Sequence, residues 1–137
     1  MGGAAMDDPA RTAFRVVLIE DSPRLREMLR DMLGELPGVE VVADADGERN
    51  ALSELERHHA DLAIVDLELS EGSGLGVLRT LQTEPQRFGA PRAVVLSNHG
   101  HKAVRARCEA LGVERFFDKS FQMDELLDYI EAAASRH

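Results

Sequence analysis

Short apolar runs, each ending at a polar residue, alternate along this chain with longer stretches of helical periodicity. Val16-Val17-Leu18-Ile19 stops at Glu20-Asp21, and Leu62-Ala63-Ile64-Val65 stops at Asp66. Ala93-Val94-Val95-Leu96 stops at Ser97, and Phe116-Phe117 stops at Asp118-Lys119. Runs of this length bounded by turn residues read as buried strands. The pattern predicts strands over residues 15–20, 39–43, 61–66, 92–97 and 114–118. Between them it predicts helices over about 23–36, 48–58, 75–82, 102–111 and 123–134. Ser22 and Pro23 suit the N-cap and first position of the first helix. Leu25, Met28, Leu29, Met32, Leu33 and Leu36 then form one apolar stripe expected to be buried. Ala51, Leu52 and Leu55 are the predicted inner face of the second helix. Ala103, Val104, Cys108 and Leu111 play that part in the fourth, and Leu126, Leu127 and Ile130 in the fifth. Pro37-Gly38, Gly72, Gly74, Pro85 and Gly89-Ala90-Pro91 punctuate the loops.

Strict strand–helix alternation implies right-handed crossovers, with helices on both faces of a parallel sheet. The expected class is α/β: a flavodoxin-like (βα)5 doubly wound five-stranded sheet of order 2-1-3-4-5. In such a sheet the ligand crevice lies beyond the carboxyl ends of the strands, where the order reverses. Glu20, Asp21 and Asp66 are expected to meet there, with Ser97 and Lys119 alongside. Carboxylates held together favour a hard divalent cation, Mg²⁺ or Mn²⁺.

Composition narrows the picture without redirecting it. A chain of 137 residues, 44% hydrophobic and 30% charged, suits one globular domain over 13–137 after a flexible tail at 1–12. No apolar stretch reaches membrane-spanning length and no signal-peptide core is evident, so no membrane role and a cytoplasmic location are expected. Cys108 is the only cysteine, which excludes an intrachain disulfide. The net charge of -9 argues against direct nucleic-acid binding.

Taken singly, each polar strand end is unremarkable: an acidic pair is usually a solvated loop, and a lysine usually a surface lysine. Their joint order is what carries meaning. The set Glu20-Asp21, Asp66, Gly74, Ser97, Phe116 and Lys119 resembles the receiver domain of bacterial response regulators, over about residues 15–134. The resemblance implies that Asp66 is the phosphoacceptor, with Lys119 and Ser97 as its catalytic partners. Glu20, Asp21, Asp66 and the backbone carbonyl of Glu68 would hold Mg²⁺. Ser97 and Phe116 would form the switch, and Glu68, Asn98 and His99 would govern access and phosphoryl lifetime. The donor would be a sensor histidine kinase or a histidine phosphotransfer protein. An unknown output protein would read a surface made by the fourth helix, fifth strand and fifth helix, including Arg105 and Arg115. Such a protein accepts a phosphoryl group on itself rather than turning over a substrate, as a monomer or weak dimer.

Three positions depart from the family pattern. Ser120 follows the lysine where proline is usual, so the 119–120 bond is expected either trans, with Lys119 slightly moved, or cis and held by its surroundings. Ser70 replaces a proline, and Asn98 replaces a small residue. These departures motivate an alternative, a phosphorylation-independent protein-interaction module. A second alternative is the receiver fragment of a longer helix-turn-helix transcription factor, which the 37–43 segment resembles. Against an aspartyl-phosphate hydrolase, this chain has no second aspartate two residues after Asp66. A flavin module lacks a phosphate loop after the first strand. A zinc site at His99-Gly100-His101 lacks further ligands.

Overall fold

The computed structural model describes residues 13–98 and 101–137; the tail at 1–12 and His99 lie outside the described residues. Five strands form one sheet: β1 (Phe14–Ile19), β2 (Val39–Ala45), β3 (Leu62–Val65), β4 (Arg92–Ser97) and β5 (Arg115–Asp118). The helices are α1 (Pro23–Gly34), α2 (Glu48–His58), α3 (Gly74–Thr83), α4 (Lys102–Ala110) and α5 (Met123–Ser135). The strand order is β2-β1-β3-β4-β5, all pairs parallel, as the alternation predicts.

Side-chain alternation splits the core into two layers. Val17, Ile19, Ala63, Val65 and Val95 pack under α2, α3 and α4, through Leu55, Val77, Leu78 and Cys108. Val16, Leu18, Ile64, Val94, Leu96 and Phe117 pack under α1 and α5, through Leu29, Leu33, Leu126 and Ile130. Phe116 packs on the first layer and Phe117 in the second, so the two phenylalanines serve opposite faces as expected.

Some boundaries and burial assignments move. β1 ends at Ile19, leaving Glu20 just past the strand. β2 runs two residues further than predicted, to Ala45. A register shift between Val16 and Val17 lets Ile19 face Ala45 across the pair. α1 stops at Gly34 because Pro37-Gly38 turns the chain, with Gly38 at φ +76. A short 3₁₀ helix, Pro85–Phe88, was not predicted; it buries Phe88 completely and is closed by Gly89 in the left-handed region. Met28 is 43% exposed, so the α1 stripe is narrower than its spacing suggests: Leu29 and Leu33 alone are fully covered. Ala103 is exposed as well. α4 buries one side chain, Cys108, whereas α3 buries four residues and α5 three. Ser22 caps α1 by accepting from the Leu25 N–H at 3.2 Å, with Pro23 at the first helical position.

Burial pushes the Cys108 thiol up from its ordinary value, with the nearby Arg107 charge acting weakly the other way. The thiolate needed for reaction is therefore scarce. Cys108 is expected to resist an aromatic disulfide reagent at pH 8 in the native protein and to react fully in 6 M guanidinium, read by absorbance.

Candidate functional site

Parallel strands that end in register bring their next residues together at the carboxyl edge of the sheet. Ile19 faces Val65 across β1 and β3, so Glu20 and Asp66 follow side by side. The Asp66 N–H donates to Ile19 O at 2.9 Å and the Glu20 N–H to Ala45 O at 2.9 Å, extending the ladder one residue past each strand. On the far side Ser97 faces Asp118, and the Lys119 N–H donates to Ser97 O at 3.1 Å.

Lys119 ties these ends together. Its Nζ lies 3.2 Å from Asp66 Oδ2 and 3.1 and 3.3 Å from the two Glu20 carboxylate oxygens. Glu20 is 1% exposed, Asp66 5% and the Lys119 side chain 16%. Two nearly buried carboxylates therefore share one ammonium. Burial alone would lower the Lys119 pKa; the charges of Asp66 and Glu20 outweigh it and hold the ammonium above its ordinary value. Glu20 is shifted up, chiefly by burial, with the Ser22 N–H opposing and the Asp66 charge adding to the rise. Glu20 Oε2 accepts from that N–H at 2.9 Å. Glu20 Oε1 is buried and receives no hydrogen bond, although it lies within ion-pair range of the lysine. The Lys119 contact thus neutralises Glu20 without satisfying its second oxygen.

The Asp66 loop is fixed from below and from the side. A Cβ at Gly74 would lie 2.2 Å from Asp66 O and 2.8 Å from Leu67 Cα, so only glycine lets α3 begin this close to the Asp66 backbone. The Glu68 N–H donates to Asp66 Oδ1 at 3.3 Å. Ser70 donates to Asp46 O through both its N–H at 3.0 Å and its Oγ at 2.8 Å, two bonds of which a proline could make neither. The Ser73 N–H donates to Glu48 Oε1 at 3.0 Å, and the Glu48 N–H donates to Glu71 O at 2.8 Å. Glu48, at the head of α2, thus pins the loop to its neighbour.

The remaining predicted residues fall as follows. Asp21 is exposed; among the described residues no three His, Cys, Asp or Glu side chains are gathered at metal-holding distance. The crevice therefore joins Glu20 and Asp66 but leaves Asp21 at its rim. Ser97 is fully buried at the end of β4. Phe116 is half-buried, its ring under the Arg105 guanidinium at 4.6 Å. Arg115 lies over the Phe117 ring at 4.8 Å. A cleft of 340 Å³ between α4 and β5 is lined in part by Arg105, Cys108, Phe116 and Gln122. Glu68 and Asn98 are exposed beside the site. The Lys119–Ser120 bond is trans. Ser120 Oγ donates to Asn98 Oδ1 at 3.4 Å, so two of the departures from the family pattern meet.

Sequence reasoning missed Arg26, whose Nη1 donates to Glu20 O at 2.7 Å and whose Nε lies 3.8 Å from Asp44. Its position on the first turn and a half of α1, facing the sheet edge, was the available signal.

A family model described as "Response regulator receiver domain" matches residues 16–131. The chain belongs to the response-regulator receiver family. The receiver is 28% identical to the chemotaxis protein CheY of Bacillus subtilis, over 86% of this chain and 95% of CheY. It is 30% identical to the transcriptional regulatory protein PdtaR of Mycobacterium tuberculosis, over 99% of this chain and 64% of PdtaR. Against other curated relatives it spans about half their length or less: 50% of DegU from Brevibacillus brevis, 35% of a Vibrio cholerae response regulatory protein. Among solved structures, a LuxR-family two-component response regulator from Aurantimonas superposes with a TM-score of 0.79 at 27% identity, covering 91% of the receiver and 87% of that chain. The CheX-CheY-BeF3-Mg+2 complex from Borrelia burgdorferi gives 0.78 at 17% identity, covering 88% of each chain, and shares the fold.

Proposed function

We propose that this receiver accepts a phosphoryl group on Asp66 from a phosphohistidine donor, a sensor histidine kinase or a histidine phosphotransfer protein. The observation that carries the reading is the Lys119 ammonium held against Asp66 and Glu20 in an otherwise buried crevice. An Asp66 carboxylate oxygen forms the new P–O bond as the donor's P–N bond breaks and the imidazole leaves with the electron pair. Negative charge spreads over the three equatorial phosphoryl oxygens, and the site's task is positioning and neutralisation. Lys119 would neutralise one of them once the phosphoryl group draws it from the Asp66 oxygen. Ser97, at the end of the adjacent strand, would donate to another.

The donor set fits a hard divalent cation. Two carboxylates share one lysine, and Glu20 Oε1 is buried without a hydrogen bond. Glu20, Asp21, Asp66 and the Glu68 carbonyl would hold Mg²⁺ or Mn²⁺. When bound, the ion supplies charge neutralisation for the incoming dianion. Phe121, 84% exposed two residues beyond Lys119, supports docking of a protein donor at this rim.

The product carries roughly -1.5 to -2 charges, as phosphorylated side chains do, where the aspartate carried one. Drawing Ser97 inward would free the space that Phe116 fills by leaving its place under Arg105. The α4–β5–α5 face, with Arg105 and Arg115, would present the altered surface to an output protein or an attached domain. No described helix is long and apolar enough to cross a membrane.

Intact-mass spectrometry after incubation with acetyl phosphate and Mg²⁺ tests the assignment. One phosphoryl adduct is expected, absent in Asp66→Asn and absent when EDTA replaces Mg²⁺. An adduct that persists in Asp66→Asn would remove Asp66 from its role. Absence of any adduct, with phosphohistidine donors as well, would favour a phosphorylation-independent interaction module.

A further inference from the structure

β5 is the edge strand of the sheet, so the polar backbone groups on its outer side have no strand to pair with. The last of them, on Asp118, precede the lysine of the site. Gln122 closes both. Its Oε1 accepts from the Asp118 N–H at 2.8 Å, and its own N–H donates to Asp118 O at 2.9 Å. Its Nε2 donates to Glu125 Oε2 at 3.0 Å, which fixes the amide with its oxygen toward Asp118. Asp118 then acts on the other neighbour of the lysine: Oδ1 accepts from the Ser120 N–H at 2.7 Å. That donor exists only because residue 120 is not proline. Lys119 is thus held by its own N–H on Ser97 O and by a hydrogen-bonded residue on either side, with a trans bond following it.

We propose that Gln122 is a positioning residue for Lys119, setting the distance of its ammonium from Asp66 through the Asp118 turn. The kinetic half of the test rests on the phosphoacceptor reading; the geometric half does not. Misplacement of a charged catalytic group by about an ångström costs up to about 10²-fold in rate. Removing one of several restraints should cost less.

Gln122→Met keeps side-chain length and removes the acceptor. The double variant Gln122→Glu with Glu125→Gln exchanges the two partners and restores the bond to Asp118 without changing net charge. Intact-mass time courses with acetyl phosphate and Mg²⁺ should show Gln122→Met phosphorylated about 5- to 10-fold more slowly, with the exchanged pair within about twofold of wild type, on the scale of that misplacement cost. Urea midpoints of wild type, Gln122→Met, Lys119→Met and the chain carrying both of these changes form a cycle that needs no phosphoryl donor. If Gln122 acts through the lysine, its loss should shift the midpoint less in the Lys119→Met background than in wild type. Additive midpoints would overturn the proposal, as would wild-type phosphorylation rates in Gln122→Met. A wild-type protein that takes no phosphoryl group from acetyl phosphate or from a phosphohistidine donor refutes the phosphoacceptor reading instead, and the midpoint cycle alone then decides the positioning.

Discussion

Lys119→Met is expected to lose about 3 kcal/mol of folding stability at pH 7, because breaking a buried ion pair strands the remaining charge. Here it strands two charges, since Glu20 and Asp66 share the one ammonium. The loss should depend on pH. The Glu20 carboxyl already sits above its ordinary value of 4.5 in the folded chain, mainly through burial. Between 4.5 and the folded value, the native state holds a proton that the unfolded state releases. Stability therefore falls as pH rises through that window, and the penalty is absent below it. Without the lysine, whose charge counts among the influences lowering Glu20, the window must extend upward. Urea midpoints measured from pH 5 to 8 should rise on acidification more steeply for Lys119→Met than for wild type. A parallel pair of profiles would show that Lys119 does not control Glu20. Millimolar Mg²⁺ should recover part of the loss in the variant, because the same carboxylates would gain a cation.

Gly74→Ala is the second large effect. The added methyl would stand 2.2 Å from the Asp66 carbonyl oxygen and 2.8 Å from Leu67 Cα, both backbone atoms that no rotamer change can move aside. Forced overpacking of this kind costs about 1–3 kcal/mol. Alanine's helical advantage of about 1 kcal/mol offsets part of it. With a backbone contact as short as 2.2 Å the cost lies at the top of that range, so a net loss of about 2 kcal/mol, or a Tm lower by about 6 °C for a domain of this size, is the expected result in a thermal melt. Gly34→Ala is the control. It too lies at a helix end, but nothing stands within 4 Å of its added carbon, and its Tm should hold or rise. Equal behaviour of the two variants would mean that the α3 start is not set by contact with the Asp66 backbone.

The topology was legible because each strand signal was unambiguous. Short apolar runs closed by polar residues admit few other readings, and alternation with helices fixed the order. The polar strand ends were legible for the same reason: Glu20, Asp66 and Ser97 follow the last apolar residue of their runs, and Lys119 comes one residue later. The conformation of the crevice was not. Sequence places Asp21 beside Glu20, but only the turn into α1 decides that Glu20 is buried and Asp21 exposed. Periodicity overstated the buried face of α1 at Met28 and of α4 at Ala103, because it reports direction around a helix and not how closely the helix lies against the sheet. Arg26, Glu48 and Gln122 act through backbone groups more than 2 residues away, which no spacing rule addresses. In sequence Ser120 reads only as a missing proline; that its amide donates to Asp118 depends on the turn itself.

α4 is held to the sheet by a single fully buried side chain, Cys108. Moving such a helix sacrifices little packing. Swinging a two-state element from one part in a hundred to ninety-nine requires about 5.5 kcal/mol of differential interaction. Two or three charge-assisted hydrogen bonds, at about 1.5–3 kcal/mol each, span that gap. A helix anchored as firmly as α3, with four buried residues, would demand more than one new anion supplies. The sparse footing of α4 would therefore place a second arrangement of that helix within the reach of the proposed phosphorylation of Asp66.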